Sequence, residues 1–144
     1  MLRAMRTVLF VLTVLAAAPS PHAGAQPAPS AVSAWVEAPA AGATATAAYV
    51  EVSNPTMYEI YVTGATTDAA AAVELRGPAT GGGEPPKVAE FPVAAYGSTA
   101  ADRTAPHLRL VGLTRPLKAG DTVPLTLTTD GGVKMTVAAV VRQP

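Results

Sequence analysis

The sequence predicts an all-β fold, a sandwich or barrel of about eight short strands. Three observations carry that prediction. Apolar and polar residues alternate with a period of two along several runs, as in a strand with one buried face. The runs are short and separated by Gly, Pro, Asn and Asp, the residues of tight turns. No segment sustains the 3.6-residue period of a helix.

The elements follow in order. Residues 31–36, A-V-S-A-W-V, form the first expected strand and carry the single tryptophan. One large aromatic in a small sandwich is expected to pack between the sheets, so Trp35 is assigned to the core. Residues 38–44 form a loop of small residues. In 46–53, Ala48, Val50 and Val52 share one face and Tyr49, Glu51 and Ser53 the other. Asn54-Pro55-Thr56 is a turn. The next strand, 57–65, places Tyr58, Ile60 and Val62 on one face, and 71–76, A-A-V-E-L-R, is another strand. Residues 77–86, G-P-A-T-G-G-G-E-P-P, are too rich in Gly and Pro for regular structure and are expected to form an exposed, mobile loop. Residues 87–91 form a short strand, and 92–105 are irregular with a turn at Gly97-Ser98.

The strongest pattern lies at 106–128, two strands joined by a tight connection. Leu108 and Leu110 alternate with His107 and Arg109, so the leucines point one way and His107 and Arg109 together the other. Pro116 to Asp121 carries the turn. Val123, Leu125 and Leu127 then alternate with Thr122, Pro124, Thr126 and Thr128. Pro124 has no N–H to donate, which places this strand at an edge or bulges it there. Asp130-Gly131-Gly132 signals a hairpin. In the last strand, 132–142, Val133, Met135, Val137, Ala139 and Val141 alternate inward.

Length and composition bound the function. At 144 residues the chain holds one ordinary domain. Residues 1–25 read as a secretory signal: Arg3 and Arg6, an apolar core at 8–18, and Ala23-Gly24-Ala25 as the cleavage site. The apolar run is well short of the roughly 20 residues that span a bilayer, so no membrane span is expected after cleavage. The expected location is the periplasm or outside the cell. Residues 26–30, Q-P-A-P-S, read as a disordered spacer, and 31–144 as the folded domain. The chain has no cysteine, which excludes disulfides and lipid attachment through an N-terminal Cys. Basic and acidic residues number 10 each, and no basic cluster suggests a nucleic-acid partner.

The stretch H-L-R-L-V-G-L-T-R-P-L-K-A-G-D-T-V-P-L-T-L at 107–127 resembles the end of the PCu(A)C periplasmic copper chaperones, H-x-M-L-x-G-L followed by P-L-x-x-G-D-x-V-P-L-x-L. A-A-Y-V-E-V-S-N and V-E-L-R resemble the family's A-A-Y-x-x-I-x-N and V-E-L-H. The resemblance implies a cupredoxin-like Greek-key β-sandwich. It also implies a carrier of Cu(I), with delivery to the copper site of cytochrome oxidase or another copper-handling protein. That family binds Cu(I) with two His and two Met, donors soft enough for the ion. Carried over position by position, the first His is Arg76 and the first Met falls in Glu84-Pro85-Pro86-Lys87. The second His is His107 and the last Met is Arg109. Arginine has no lone pair to donate, so His107 alone keeps a ligating side chain.

The remaining donors are few: past residue 25 the chain has one His, His107, and two Met, Met57 and Met135. Met135 reads as core filler and Met57 as an exposed residue after a turn. His107 is either a residual ligand or a half-exposed strand histidine held by packing or a hydrogen bond. Arg76 and Arg109 are expected to face each other where the metal otherwise sits. There they hold an anion or a partner, or are tied off by Glu74, Glu90 or Asp102. A non-metal binding or interaction module is the alternative function. No catalysis is expected: Ser98, Asp102 and His107 have no nucleophile elbow beside them, and Gly81-Gly82-Gly83 lacks the Lys-Ser/Thr of a phosphate loop.

Overall fold

The computed structural model describes residues 27–144. The signal segment, its cleavage site and His22 lie outside the described residues. Nine strands follow in chain order: β1 (Ser30–Glu37), β2 (Ala45–Ser53), β3 (Ile60–Thr67), β4 (Ala70–Arg76), β5 (Lys87–Val88), β6 (Phe91–Val93), β7 (His107–Leu113), β8 (Thr122–Thr129) and β9 (Lys134–Arg142). They form one sheet in the order β5-β4-β7-β2-β1-β9-β8-β3-β6. All pairings are antiparallel except β1 with β9. The sheet folds over at β1, and β3 and β4 come together across the gap without pairing. The result is the nearly closed, all-β Greek-key sandwich of cupredoxin-like type.

The inward set follows from alternation. Ala48, Val50 and Val52 of β2, Leu108 and Leu110 of β7, and Val123, Leu125 and Leu127 of β8 are all buried, with Met135, Ala139 and Val141 of β9. They form one continuous core. Val133 is exposed because it lies in the turn before β9, where alternation no longer applies.

Several expectations are corrected. The run 87–91 is not one strand. β5 pairs with β4 at one end of the sheet, and β6 pairs with β3 at the other, so the chain crosses from one end to the other at Ala89 and Glu90 and the strand count among the described residues rises to nine. Strand β3 begins at Ile60, and Tyr58 is exposed rather than sharing the face of buried Val62. The strands β7 and β8 are consecutive but do not pair: β7 lies between β4 and β2, and β8 between β9 and β3. β8 is therefore interior despite Pro124. Its last residue paired with β3 is Leu125, opposite Thr67, so Pro124 sits one residue beyond that ladder and no hydrogen bond is lost there. Thr67 donates instead to the Pro124 carbonyl, at 2.7 Å.

Trp35 is also not between the layers. Its neighbours Ala34 and Val36 point into the core, and alternation sends Trp35 to the outer face. There it stacks on Tyr49, ring centroids 4.6 Å apart, and its indole N–H donates to the Ala101 carbonyl at 2.9 Å. The segment between β6 and β7 thus crosses the outside of β1 and β2. Thr99 anchors the crossing: its hydroxyl accepts from Val52 N and donates to Val50 O.

Candidate functional site

The outer face of β4, β7 and β2 gathers the singled-out residues. Antiparallel register sets Arg76 opposite His107 and Glu74 opposite Arg109. On the other flank of β7, Ala47 of β2 lies opposite Arg109. Because Leu75, Leu108 and Leu110 turn inward, these polar side chains must turn outward together. A cleft of about 370 Å³ opens on this face. Tyr49, Arg103, His107 and Arg109 wall one side, and Gly81, Gly82, Gly83 and Pro85 of the 77–86 loop wall the other. That loop is irregular, as expected, but tied at its base by Gly77 N–H to Pro86 O, 2.8 Å, and by Ala79 N–H to Arg103 O, 2.9 Å.

His107 is buried, with 5% exposed, which corrects the expectation of a half-exposed strand residue. The 77–86 loop and the Tyr49 ring, 5.2 Å away between centroids, cover it. Its Nδ1 lies 3.0 Å from the Ala105 carbonyl oxygen. A carbonyl only accepts, so Nδ1 carries the proton and Nε2 keeps its lone pair. Nε2 makes no hydrogen bond. Arg76 Nε is the one fully buried side-chain nitrogen or oxygen without a partner among the described residues. His107 lines the cleft, and Nε2 is its nitrogen left for a ligand.

Beside His107, Tyr49 donates its hydroxyl proton to Glu37 Oε1 at 2.9 Å and accepts from Arg103 Nε at 3.2 Å. Arg103 also pairs directly with Glu37. Burial, followed by the hydrogen bond to Glu37, raises the Tyr49 pKa above its ordinary 10.0. None of these three residues was singled out from sequence. Glu37 and Arg103 are 66 residues apart, and no local pattern joins them. Tyr49 alone left a signal, an aromatic on the outward face of an alternating strand.

The two arginines meet through a carboxylate. Arg76 donates to Glu74 Oε2 at 2.5 Å and to the Pro85 carbonyl at 3.0 Å. Its guanidinium holds the Glu74 carboxyl below the ordinary 4.5. Glu84 Oε1 lies 3.3 Å from Arg109 and 3.8 Å from Arg76. Of the three expected acids only Glu74 is used. Asp102 instead accepts from the Thr104 amide and hydroxyl, and Glu90 forms no ion pair among the described residues.

The donor set can be tested against Cu(I). The cleft holds one imidazole and no thioether. Met135 is in the core and Met57 stands exposed in the turn before β3. No group of three or more His, Cys, Asp or Glu suited to a metal occurs among the described residues. The described side chains do not make a four-ligand Cu(I) site. A triad fares no better, since His107 Nδ1 faces a carbonyl and Asp102 is engaged by Thr104. A larger cleft, about 670 Å³, lies between the 39–44 and 113–118 loops. It contains none of the residues singled out, whereas the smaller one gathers the free lone pair and the cations.

The family model LpqE-like, described as a lipoprotein family, matches residues 30–141. The chain belongs to the LpqE-like family. Among solved structures, Cu(I)-bound DR1885 from Deinococcus radiodurans is 35% identical, with a TM-score of 0.68 over 84% of this chain and 83% of that one. Apo-DR1885 is 32% identical, with a TM-score of 0.61 over 100% and 97%. A copper-bound PCuAC domain from PmoF2 shares the fold at 18% identity, TM-score 0.67, over 81% and 92%. No curated protein matches. The resemblance to PCuAC copper-chaperone domains thus holds in three dimensions. The lipoprotein description of the LpqE-like family fits an extracytoplasmic chain, although this sequence has no cysteine to carry a lipid. No helix among the described residues is long and apolar enough to cross a membrane.

Proposed function

We propose that this LpqE-like protein is an exported copper-handling protein of the PCuAC type that contributes a single imidazole. Copper, as Cu(I), is its cargo, held at His107 only when a second molecule supplies the other donors. The observation that carries this reading is the state of His107. His107 lines the cleft with its Nδ1–H spent on Ala105 O, which leaves Nε2 as the nitrogen for a ligand. Orienting a ligating imidazole through its other nitrogen is how metal-binding histidines are held. The fold shared with Cu(I)-bound DR1885 supports the same reading. Delivery to the copper centre of cytochrome oxidase in the periplasm belongs to the proposal through the PCuAC resemblance.

The second reading is a non-metal binding module. It is favoured by the ion-paired Arg76, Glu84 and Arg109 beside the cleft, at positions where the PCuAC resemblance implies thioether and imidazole ligands. A Cu(I) competition titration against a chromophoric chelator separates the two, run on residues 26–144 with and without a small thiol. Copper retention that requires the thiol and disappears in His107→Ala supports the copper reading. Retention indifferent to His107, or none, removes it.

A further inference from the structure

Beside the cleft, one carboxylate of the chain sits between two guanidiniums. Glu84 Oε1 lies 3.3 Å from Arg109 Nη1 and 3.8 Å from Arg76 Nη2. Its pair with Arg109 is loose, since 60% of the Glu84 side chain and 38% of the Arg109 side chain are exposed. Exposed pairs of this kind contribute little. Arg76 is held elsewhere, by Glu74 and the Pro85 carbonyl, while Glu84 is the only ion-pair partner of Arg109 among the described residues. Glu84 follows Gly81, Gly82 and Gly83, and a Cβ added to any of the three would meet nothing within 4 Å. Little packing pins that segment, and its glycine backbone moves at small cost. The ion pairs around it join four cations, Arg76, Lys87, Arg103 and Arg109, to three carboxylates, Glu37, Glu74 and Glu84. The Nε–H of Arg76 is buried without a partner. This face therefore has positive charge to spare, and a guanidinium whose internal carboxylate an outside one can displace.

We propose that the cleft binds a small organic monocarboxylate. Its carboxylate replaces that of Glu84 on Arg109, which lines the cleft, and accepts charge-assisted hydrogen bonds from the guanidinium. Glu84 moves out to water on its loop, so binding is an exchange of partners on one cation. The rest of the ligand is apolar or aromatic, because Ala47, Ala79 and Pro85 line the cleft beside the glycines and offer it no polar side chain. A cleft of about 370 Å³ suits a molecule of that size. Glu37 lines the same cleft and repels a second negative charge, which favours a carboxylate over a phosphate dianion. No metal takes part, and no covalent bond is made or broken. The inference deepens the non-metal reading above and names its ligand class.

Backbone amide shifts followed by NMR test it on the metal-free protein with three probes: benzoate, its neutral counterpart benzamide, and inorganic phosphate. Benzoate should give saturable shifts at the amides of residues 81–84 and 107–109. Benzamide should bind roughly tenfold more weakly, the scale of one charge-assisted contact, and phosphate more weakly than benzoate. Arg109→Gln should bring benzoate level with benzamide. Glu84→Gln removes the competing carboxylate and should tighten benzoate several-fold. Thermal unfolding of each variant checks that the fold is kept, which the partial exposure of Arg109 and Glu84 favours. Equal affinity for benzoate and benzamide overturns the inference, as does benzoate binding that survives Arg109→Gln or ignores Glu84→Gln. Phosphate binding as tightly as benzoate makes the site an unselective anion contact and overturns it too. No saturable shift with benzoate overturns this inference alone, since the Cu(I) titration decides the non-metal reading separately.

Discussion

Tyr49 is the residue on which the site rests. It lies between Trp35 and His107 in one aromatic ladder and is 2% exposed. Its hydroxyl sits between the Glu37 carboxylate and the Arg103 guanidinium. Burial and Glu37 both oppose the phenolate, and the opposing pull of Arg103 is smaller. In an absorbance titration at the phenolate band, Tyr49 and Tyr61, whose hydroxyl donates to Glu59, should both ionise above the ordinary 10.0. Tyr49→Phe should remove its share of that late step and leave that of Tyr61. The sign for stability follows. Above the ordinary value the unfolded chain gives up this proton while the folded one keeps it, so the contribution of Tyr49 falls as pH rises there. A Tyr49→Phe variant whose late ionisation is undiminished would show that Tyr49 does not carry the shift. His107 depends on the same ladder, because its burial and its fixed tautomer come from packing on Tyr49 and bonding to Ala105.

At the scale of the element, two features that look local in sequence are tertiary in effect. Gly112 of β7 has φ of 68°, a conformation that costs a side chain about 1 kcal/mol or more. A Cβ there would stand 3.0 Å from the Ala71 Cβ on neighbouring β4. Gly112→Ala should therefore destabilise the fold by about 1–3 kcal/mol, read as a lowered denaturant midpoint at unchanged slope. A neutral result would mean that β4 and β7 separate more easily than their register suggests. The turn before β3 depends on Asn54, 1% exposed. Its amide donates towards the carbonyls of Tyr58, Val93 and Ala94, at 2.7, 3.1 and 3.1 Å, and its carbonyl accepts from Thr56 N and Oγ1. Asn54→Ala strands these groups, at a cost of about 2–4 kcal/mol. Equilibrium unfolding measures it, and a loss under 1 kcal/mol would mean that water replaces the amide.

For the whole molecule, charge is sparse, with 14% of residues charged, yet Arg76, Lys87, Arg103 and Arg109 all border one face with Glu37, Glu74 and Glu84. Acidification should loosen that face first. Arg76, then the charge of Lys87, holds Glu74 below its ordinary 4.5. Its stabilising contribution is full above that value in the unfolded chain and is lost as pH falls through the lower folded value. Stability measured from pH 6 downward should decline across this acid window, and Glu74→Gln should flatten the decline. An unchanged slope in Glu74→Gln would assign the decline to other carboxylates. The core between the layers is apolar, so this acid response belongs to the carboxylates of the outer face.

Alternation by itself determined the all-β class, the inward leucines and valines of β2, β7 and β8, and the placement of His107 and Arg109 on one face. Those are consequences of a two-residue period, which any strand with one buried side must obey. The exchange of ligand residues for Arg76 and Arg109 is what the PCu(A)C resemblance implies; the residues themselves say only that arginine has no lone pair to donate. Only the tertiary structure decided the rest. It buried His107 and chose its tautomer, sent Trp35 outward under the 94–106 crossing, split 87–91 between two edges of the sheet, and brought Glu84 between the arginines. Each of those depends on segments tens of residues apart meeting in space. A local period says which way a side chain points, but not what arrives from elsewhere to cover it.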